Sequence, residues 1–315
     1  MTYQEKADAL FEDQKTTWPL LGSNWEKLGA AQLKTFTFDG YTIRVQFNPR
    51  RIVSTAAKVD KVSIENRNCF LCRDNRPAEE KEVYFGNEYE ILCNPFPIFT
   101  EHFTIAKTEH VPQVIQEEFG GFLELSKELP DLVVFYNAPN CGASAPDHMH
   151  YQAGSRGFMP IEDQITTLVE KYGKSLTAGP DLAVTAVDDG LRRFVVLESG
   201  QSGLLEEVFF RVYEFMQAVH HGVEPMINML SYYQDQWQIL IFPREKHRPW
   251  QFFEEGEKNI LLSPAAVDMG GTLITPLEKD FNKITHEDII DIFSQICLSA
   301  STFDLLLDHL SKNAT

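Results

Sequence analysis

Apolar and polar positions alternate with period two along TFTFDGYTIRVQFNP (residues 35–49), which predicts a β-hairpin turning at Asp39-Gly40. Residues 3–35 before it carry apolar positions at helical spacing and predict peripheral helix, interrupted at TWPLLGSN. Residues 82–113 predict two or three antiparallel strands that end in a turn around Pro112. A helix is expected over VIQEEFGGFLELSKEL (114–129), where Val114, Ile115, Phe119, Phe122, Leu123 and Leu125 keep one face and Gly120-Gly121 weakens it. DLVVFYN (131–137) has the β-branched and aromatic content of a buried strand, APNCGASAPD that of a loop, and HMHYQAG (148–154) that of a returning strand.

The same plan comes round again. DLAVTAVDD and LRRFVVLES alternate like strands, and a helix over 204–222 shows Val208, Phe209, Val212, Phe215, Met216 and Val219 on one face with Gly222 as its stop. MINMLSYYQDQWQILIFPREKHRP then repeats strand, loop and strand, and Thr285–Asp288 forms a capping box before a last amphipathic helix. Strands and helices mixed in this way predict an α+β fold with antiparallel sheets and packed helices.

A chain of 315 residues is long enough for two ordinary domains or one internal duplication. Its formal charge of -18 argues against general attraction to nucleic acid or to an anionic membrane. Against that background, Arg50, Arg51, Lys58, Lys61, Arg67, Arg73 and Arg76 form a basic run that either faces a phosphate or balances acidic neighbours. No uncharged apolar stretch is of membrane-spanning length and the opening residues do not read as a signal peptide, so the cytosol is expected. The odd count of five cysteines argues against a secreted disulfide framework.

Two motifs carry chemistry. Side chains alternate across a strand, so His148, His150 and Gln152 should share one face, a surface suited to nucleophilic or acid-base work. Two histidines at alternate positions are also compatible with a metal site or a structural strand. Cys69 and Cys72 stand at C-x2-C spacing, which suits two thiolates on one tetrahedral ion; His102, His110 and His148 are available as further ligands. The amides near Gly142–Ser144 are placed to neutralise phosphate charge. Arg244, Lys246, His247 and Arg248 are expected to form a solvent-facing basic turn, with phosphate contact as the alternative.

Taken together, the cysteine pair, NPFPIFTEHFTIAKTEHVPQ and HMHYQ resemble the histidine-triad superfamily, in particular its transferase branch of uridylyltransferases and of diadenosine tetraphosphate and GDP-galactose phosphorylases. The resemblance covers residues 45–160 through good motifs and 195–285 through weaker ones. It implies two histidine-triad units, a catalytic one over 1–175 with an N-terminal helical extension and a degenerate one over 176–315. It implies a nucleotidyltransferase or phosphorylase acting on a nucleoside diphosphate sugar or dinucleoside polyphosphate, with phosphate or a sugar 1-phosphate as acceptor. His150 matches the nucleophile, Gln152 the residue on the transferred phosphoryl oxygens, and Asn137 the phosphate-contacting asparagine, while Ser144 fits the loop serine with a one-residue shift. Arg50 and Arg51 would meet substrate phosphates. Cys69, Cys72, His110 and His148 would form a structural zinc site, in which His148 also supports the catalytic strand. Asp147 departs from the proline of the uridylyltransferases. A histidine-triad hydrolase and a zinc-stabilised nucleotide-binding module are the alternatives. Monomer or homodimer is expected, with no nucleic-acid or membrane partner.

Overall fold

The computed structural model describes residues 1–52 and 60–312; Lys58 of the basic run lies outside them. Helix α1 (Tyr3–Thr17) opens on a capping box between Thr2 and Glu5. The expected interruption at TWPLLGSN is instead the start of α2 (Pro19–Leu28), because Pro19 sits in its first turn, where the missing N–H has no intrahelical partner to lose. Helix does not continue to Thr35. Strand β1 (Gln32–Thr37) already pairs there with β2 (Thr42–Phe47), and β13 (Thr272–Thr275) joins β2 in parallel from far along the chain.

Among the described residues the main sheet has ten strands. The earlier half of the chain supplies β3 (Glu82–Phe85), β4 (Tyr89–Cys93), β5 (His102–Lys107), β6 (Leu132–Asn137) and β7 (His150–Ser155). The later half supplies β8 (Gly173–Ala178), β9 (Ala183–Asp188), β10 (Arg193–Ser199), β11 (Ile227–Gln234) and β12 (Gln236–Pro243). Their spatial order is β3-β4-β5-β7-β6-β11-β12-β10-β9-β8, so the order of the first five is repeated by the second five outward from the β6–β11 seam. Helix α3 (Phe119–Glu128) enters between β5 and β6, as α5 (Ser202–His220) does between β10 and β11. The expected duplication is therefore a property of the topology, and the seam is antiparallel, with Asn137 opposite Asn228.

Both faces of this sheet are covered, which is why LVVFYN has no polar alternation: all six of its residues are buried. One face packs against α1, α3, α5 and α7 (Ala300–Lys312); Phe119 of α3 stacks on Phe209 of α5 at 3.8 Å and ties the two halves together. The other face packs against the small sheet, α4 (Ile161–Tyr172) and α6 (His286–Ile296), the last opened by the expected capping box at Thr285 and Asp288.

Three local expectations change. Helix α3 begins only at Phe119, since the Ile115 amide upstream is drawn to the Glu224 carboxylate. Gly121 has a packing reason within it, because a Cβ there would collide with the Tyr89 ring. Helix α5 ends on His221 in the left-handed region (φ 52°), before Gly222 is reached.

Candidate functional site

Strands β6 and β7 pair regularly only as far as Phe135 opposite Gln152; beyond that they splay. The Gln113 side chain fills the gap. Its Oε1 accepts from the His150 N–H at 2.8 Å, while its Nε2 donates to the carbonyls of His150 and Asn137 at 2.9 and 3.1 Å. A buried amide thus stands in for a missing stretch of ladder and keeps both backbones satisfied while their side chains diverge. Nothing in the sequence singles out Gln113.

His150 is buried and is the first residue of β7. Its Nδ1 lies 2.8 Å from the His148 carbonyl, an oxygen that can only accept, so the proton sits on Nδ1 and the Nε2 lone pair is left for the cavity. Burial pushes its pKa down to about 4 against that hydrogen bond, which leaves the ring neutral near pH 7. Gln152 is fixed in a similar way. His102 accepts the Ile98 amide on Nδ1 (3.4 Å), so its Nε2–H donates to Gln152 Oε1 at 3.0 Å and turns the Gln152 NH2 group outward. Burial, reinforced by the charge of Arg51, holds His102 neutral with a pKa of about 3. His102 was one of three histidines open as a metal ligand; here it positions an amide.

Asn137 closes β6. Its Oδ1 accepts from the Ala266 backbone amide and from Asn228 Nδ2, both at 2.8 Å, so its own NH2 faces the cavity. The loop beyond passes through Gly142 in the left-handed region (φ 103°), where a Cβ would lie 2.5 Å from that of Ala265. Gly142→Ala is accordingly expected to cost about 2–4 kcal/mol, a left-handed penalty plus a displaced neighbour, and a urea midpoint unchanged from wild type would refute it.

These groups converge on one cavity of about 400 Å³, lined by His150, Gln152, Asn137 and Gly142–Ser144, by Arg51, and by His247, Arg248 and Ser263 from the later half. Arg51 donates to the Phe96 carbonyl at 3.4 Å; burial lowers its pKa to about 10 while Asp268 opposes the shift, so it stays charged. Arg50, three residues from the end of β2, is exposed and lines a separate surface recess with Asn24, Lys27 and Phe47. The basic turn is not solvent-facing as expected, apart from Lys246. Arg244 is fully buried, and Arg248 donates to Ser263 at 2.9 Å while stacking on Phe252. His247 is held neutral by burial and by Arg248, with a pKa of about 3.

His148 does not line the cavity. It precedes β7, where the strand pattern does not govern its direction, and belongs to a separate cluster. One ligand atom each of Cys69, Cys72, His110 and His148 lies within 4.8 Å of all the others, so the four could hold a metal ion. His148 Nδ1 is 3.3 and 3.6 Å from the two sulfurs, and His110 Nδ1 is 3.1 Å from Cys72 Sγ. Around a tetrahedral zinc, sulfur and nitrogen ligands stand about 3.6 Å apart, so the cage closes with little adjustment. His148 Nε2–H donates to the Lys107 carbonyl at 2.7 Å, leaving Nδ1 unprotonated for an ion. Burial would raise the Cys69 thiol, yet His148 and the amides of Leu71 and Cys72 bring it to about 6. Burial and the neighbouring Cys69 push Cys72 up to about 11, a repulsion that a cation between the sulfurs would relieve.

In the later half, the strand that answers β7 carries Trp237, buried with its indole N–H on the Leu123 carbonyl at 2.9 Å. The connection before it is Asp235 alone (φ 64°), where the first half has the loop 138–149. That half has neither histidines nor a small-residue loop at this point.

Comparison with known proteins finds likenesses over each half of the chain and in the fold. A domain of unknown function (DUF4922) matches residues 10–155, and the GDPGP1-like C-terminal domain matches residues 189–315. Galactose-1-phosphate uridylyltransferases from Streptococcus mutans and Halalkalibacterium halodurans are 32% and 29% identical over 34% and 29% of this chain. The matches span only 25% and 21% of those relatives' own lengths. Yeast Ap4A phosphorylase in complex with AMP shares the fold at 17% identity, with a TM-score of 0.63 over 94% of this chain and 97% of that one. Its complex with Ap4A gives 0.59 at 16% identity over 95% and 99%. No helix among the described residues is long and apolar enough to cross a membrane. The GDPGP1-like C-terminal domain, the uridylyltransferase matches and the fold shared with Ap4A phosphorylase together support the transferase branch of the histidine-triad superfamily.

Proposed function

We propose that this protein transfers a nucleotidyl group from a nucleoside diphosphate sugar or a dinucleoside polyphosphate to phosphate or a sugar 1-phosphate, through a nucleotide bound covalently to His150. The observation that carries the reading is the pair of oriented groups on β7: a neutral imidazole, fixed by the His148 carbonyl, whose Nε2 lone pair meets the cavity, and a Gln152 amide, fixed by the His102 side chain, whose NH2 meets it two residues on. In the first displacement His150 Nε2 forms a bond to the α-phosphorus, and the bond from phosphorus to the bridging oxygen breaks. The leaving group departs with that electron pair, as a sugar 1-phosphate from a nucleoside diphosphate sugar or as a nucleoside polyphosphate from a dinucleoside polyphosphate. In the second, an oxygen of the acceptor attacks the same phosphorus and the P–N bond breaks, restoring the ring. Asn137 and Gln152 offer amide donors to the non-bridging oxygens, Ser144 and its loop offer further donors, and Arg51 adds charge.

Gln152 stands where a hydrolase would hold a third histidine, and an amide cannot shuttle a proton to activate water. The uridylyltransferases and the Ap4A phosphorylase among the relatives support nucleotide substrates of this kind. A panel of UDP-, GDP- and ADP-sugars and Ap4A, each with and without phosphate, tests the reading. Turnover that needs phosphate or a sugar 1-phosphate supports it, hydrolysis at equal rate without either replaces it with the hydrolase, and inertness to all of them reduces the chain to a binding module.

The cation of the four-ligand cluster is, in the same proposal, zinc, held by Cys69, Cys72, His110 and His148 to pin the loop that enters β7. Bound there it would supply folding energy and no step of the transfer. Arg51 is the predicted phosphate contact from the basic run. Arg51→Ala should lower kcat/KM about ten- to a hundredfold, as for a lost charge-assisted contact of ~1.5–3 kcal/mol, whereas Arg50→Ala should change it less than about threefold. Kinetics unchanged from wild type in both variants would return the run to solvent.

A further inference from the structure

Arg244 is among the largest fully buried side chains of the protein, and it forms no salt bridge among the described residues. Every hydrogen-bond acceptor of its guanidinium among the described residues is neutral. Nε donates to the Ile296 carbonyl at 3.1 Å, Nη2 to those of Lys246 and His247 at 3.1 and 3.2 Å, and Nη1 to that of Pro264 at 3.0 Å. The remaining acceptor is the side-chain oxygen of Asn228, which is itself fully buried. Burying a guanidinium without a carboxylate is costly, so a device that serves only packing would more cheaply be apolar.

Its position on the β6–β11 seam gives it a use. An arginine can only donate, so Asn228 must turn Oδ1 toward it and its NH2 the other way. That NH2 donates at 2.8 Å both to Asn137 Oδ1 and to the Cys141 carbonyl in the loop 138–149. Asn137 is held from the opposite side by the Ala266 amide, also an obligatory donor. Two unambiguous donors at the ends of the chain of contacts therefore fix both amides in between. We propose that Arg244 and Asn228, contributed by the degenerate half, are positioning residues that set which end of the Asn137 amide faces the cavity. The half that lost its own histidines thus orients the phosphate-facing donor of the other.

The inference rests on the proposed role of Asn137 toward phosphoryl oxygens. Removing Arg244 would take a donor from five acceptors, among them the buried Asn228 side chain, and endanger the fold, so Asn228→Asp is the informative change. An aspartate keeps the shape and gives Arg244 a charged partner, but has no N–H for Asn137 Oδ1. A carboxylate oxygen would then face that Oδ1 and favour rotation of the Asn137 amide, bringing its oxygen to the cavity where phosphoryl oxygens must bind.

Two readouts in a double-mutant cycle decide it: calorimetric affinity for GMP, AMP and UMP, and the single-turnover rate of adduct formation on His150. Asn228→Asp should weaken the tightest monophosphate, and slow the adduct, about ten- to a hundredfold, with a melting temperature within a few degrees of wild type. In the Asn137→Ala background the same change should matter less than about threefold. Equal losses in both backgrounds overturn the proposal, as does an Asn228→Asp variant that binds and reacts like wild type, or a cavity that binds none of the three nucleotides. A wild-type protein that shows the binding coupling but never forms an adduct would sink the covalent reading and leave the positioning role standing.

Discussion

His150→Ala is expected to form no covalent nucleotide with any donor, whereas the wild-type protein, given the right donor and no acceptor, gains the mass of one nucleoside monophosphate. The reason lies in how completely the ring is prepared: the His148 carbonyl takes the Nδ1 proton, Gln113 clamps the backbone on both sides, and Nε2 alone is left toward the cavity. The P–N bond should be acid-labile, discharged quickly by phosphate or a sugar 1-phosphate and slowly by water, because Gln152 cannot act as an acid-base for it. Turnover in His150→Ala should fall by at least about 10⁴-fold, since the lone pair that would form the P–N bond is removed. Intact-mass spectrometry after acceptor-free mixing checks the adduct. An adduct that persists in His150→Ala, or wild-type turnover without one, would show that the nucleophile is elsewhere or that the acceptor attacks directly.

Loss of the metal should be felt first in stability. Purified protein is predicted to carry about one zinc per chain, and Cys69→Ser should lose it along with ~3–5 kcal/mol of stability, roughly a 10 °C fall in melting temperature for a chain of this size. The cluster is built from three segments distant in sequence, the C-x2-C turn, the stretch after β5 that carries His110 and the approach to β7, so one ion ties together loops that packing alone covers thinly. A strong chelator should reproduce the fall in the wild type and leave Cys69→Ser unchanged. His148 lies outside the cavity, so chemistry per folded molecule should decline far less than stability. Elemental analysis that finds no zinc in protein purified without chelators, or a Cys69→Ser variant that melts with the wild type, would remove the metal from this account.

Much of this was legible from local pattern. The hairpin at Asp39-Gly40, the strand DLVVFYN, the capping box at Thr285 and the long helix with Val208, Phe209 and Val212 on one face follow from backbone preference and burial period, which act over a few residues. The helix starts were less legible. Pro19 reads equally as a breaker or as a first-turn residue, and Gly121 reads as a weakness until the Tyr89 ring is seen against it.

The site divides along the same line. Residue type and spacing alone bring forward His150, Gln152 and the Cys69–Cys72 pair, because a two-residue alternation and a C-x2-C turn are local geometries. Everything that assigns them work is non-local. That His148 serves the cysteines while His150 serves the cavity depends on where β7 begins, which is set by the splay from β6 and by Gln113 reaching across it. That His102 orients Gln152, that Arg51 faces the cavity while Arg50 does not, and that Arg244 is buried beside the seam are outcomes of contacts between segments far apart along the chain, as Asn137 is from Asn228. The sequence by itself determined which chemical groups were available and the strands that carry them; only the tertiary structure decided which lone pair, which end of an amide and which charge meets the substrate space, because a hydrogen bond between distant segments leaves no periodicity along the chain to read.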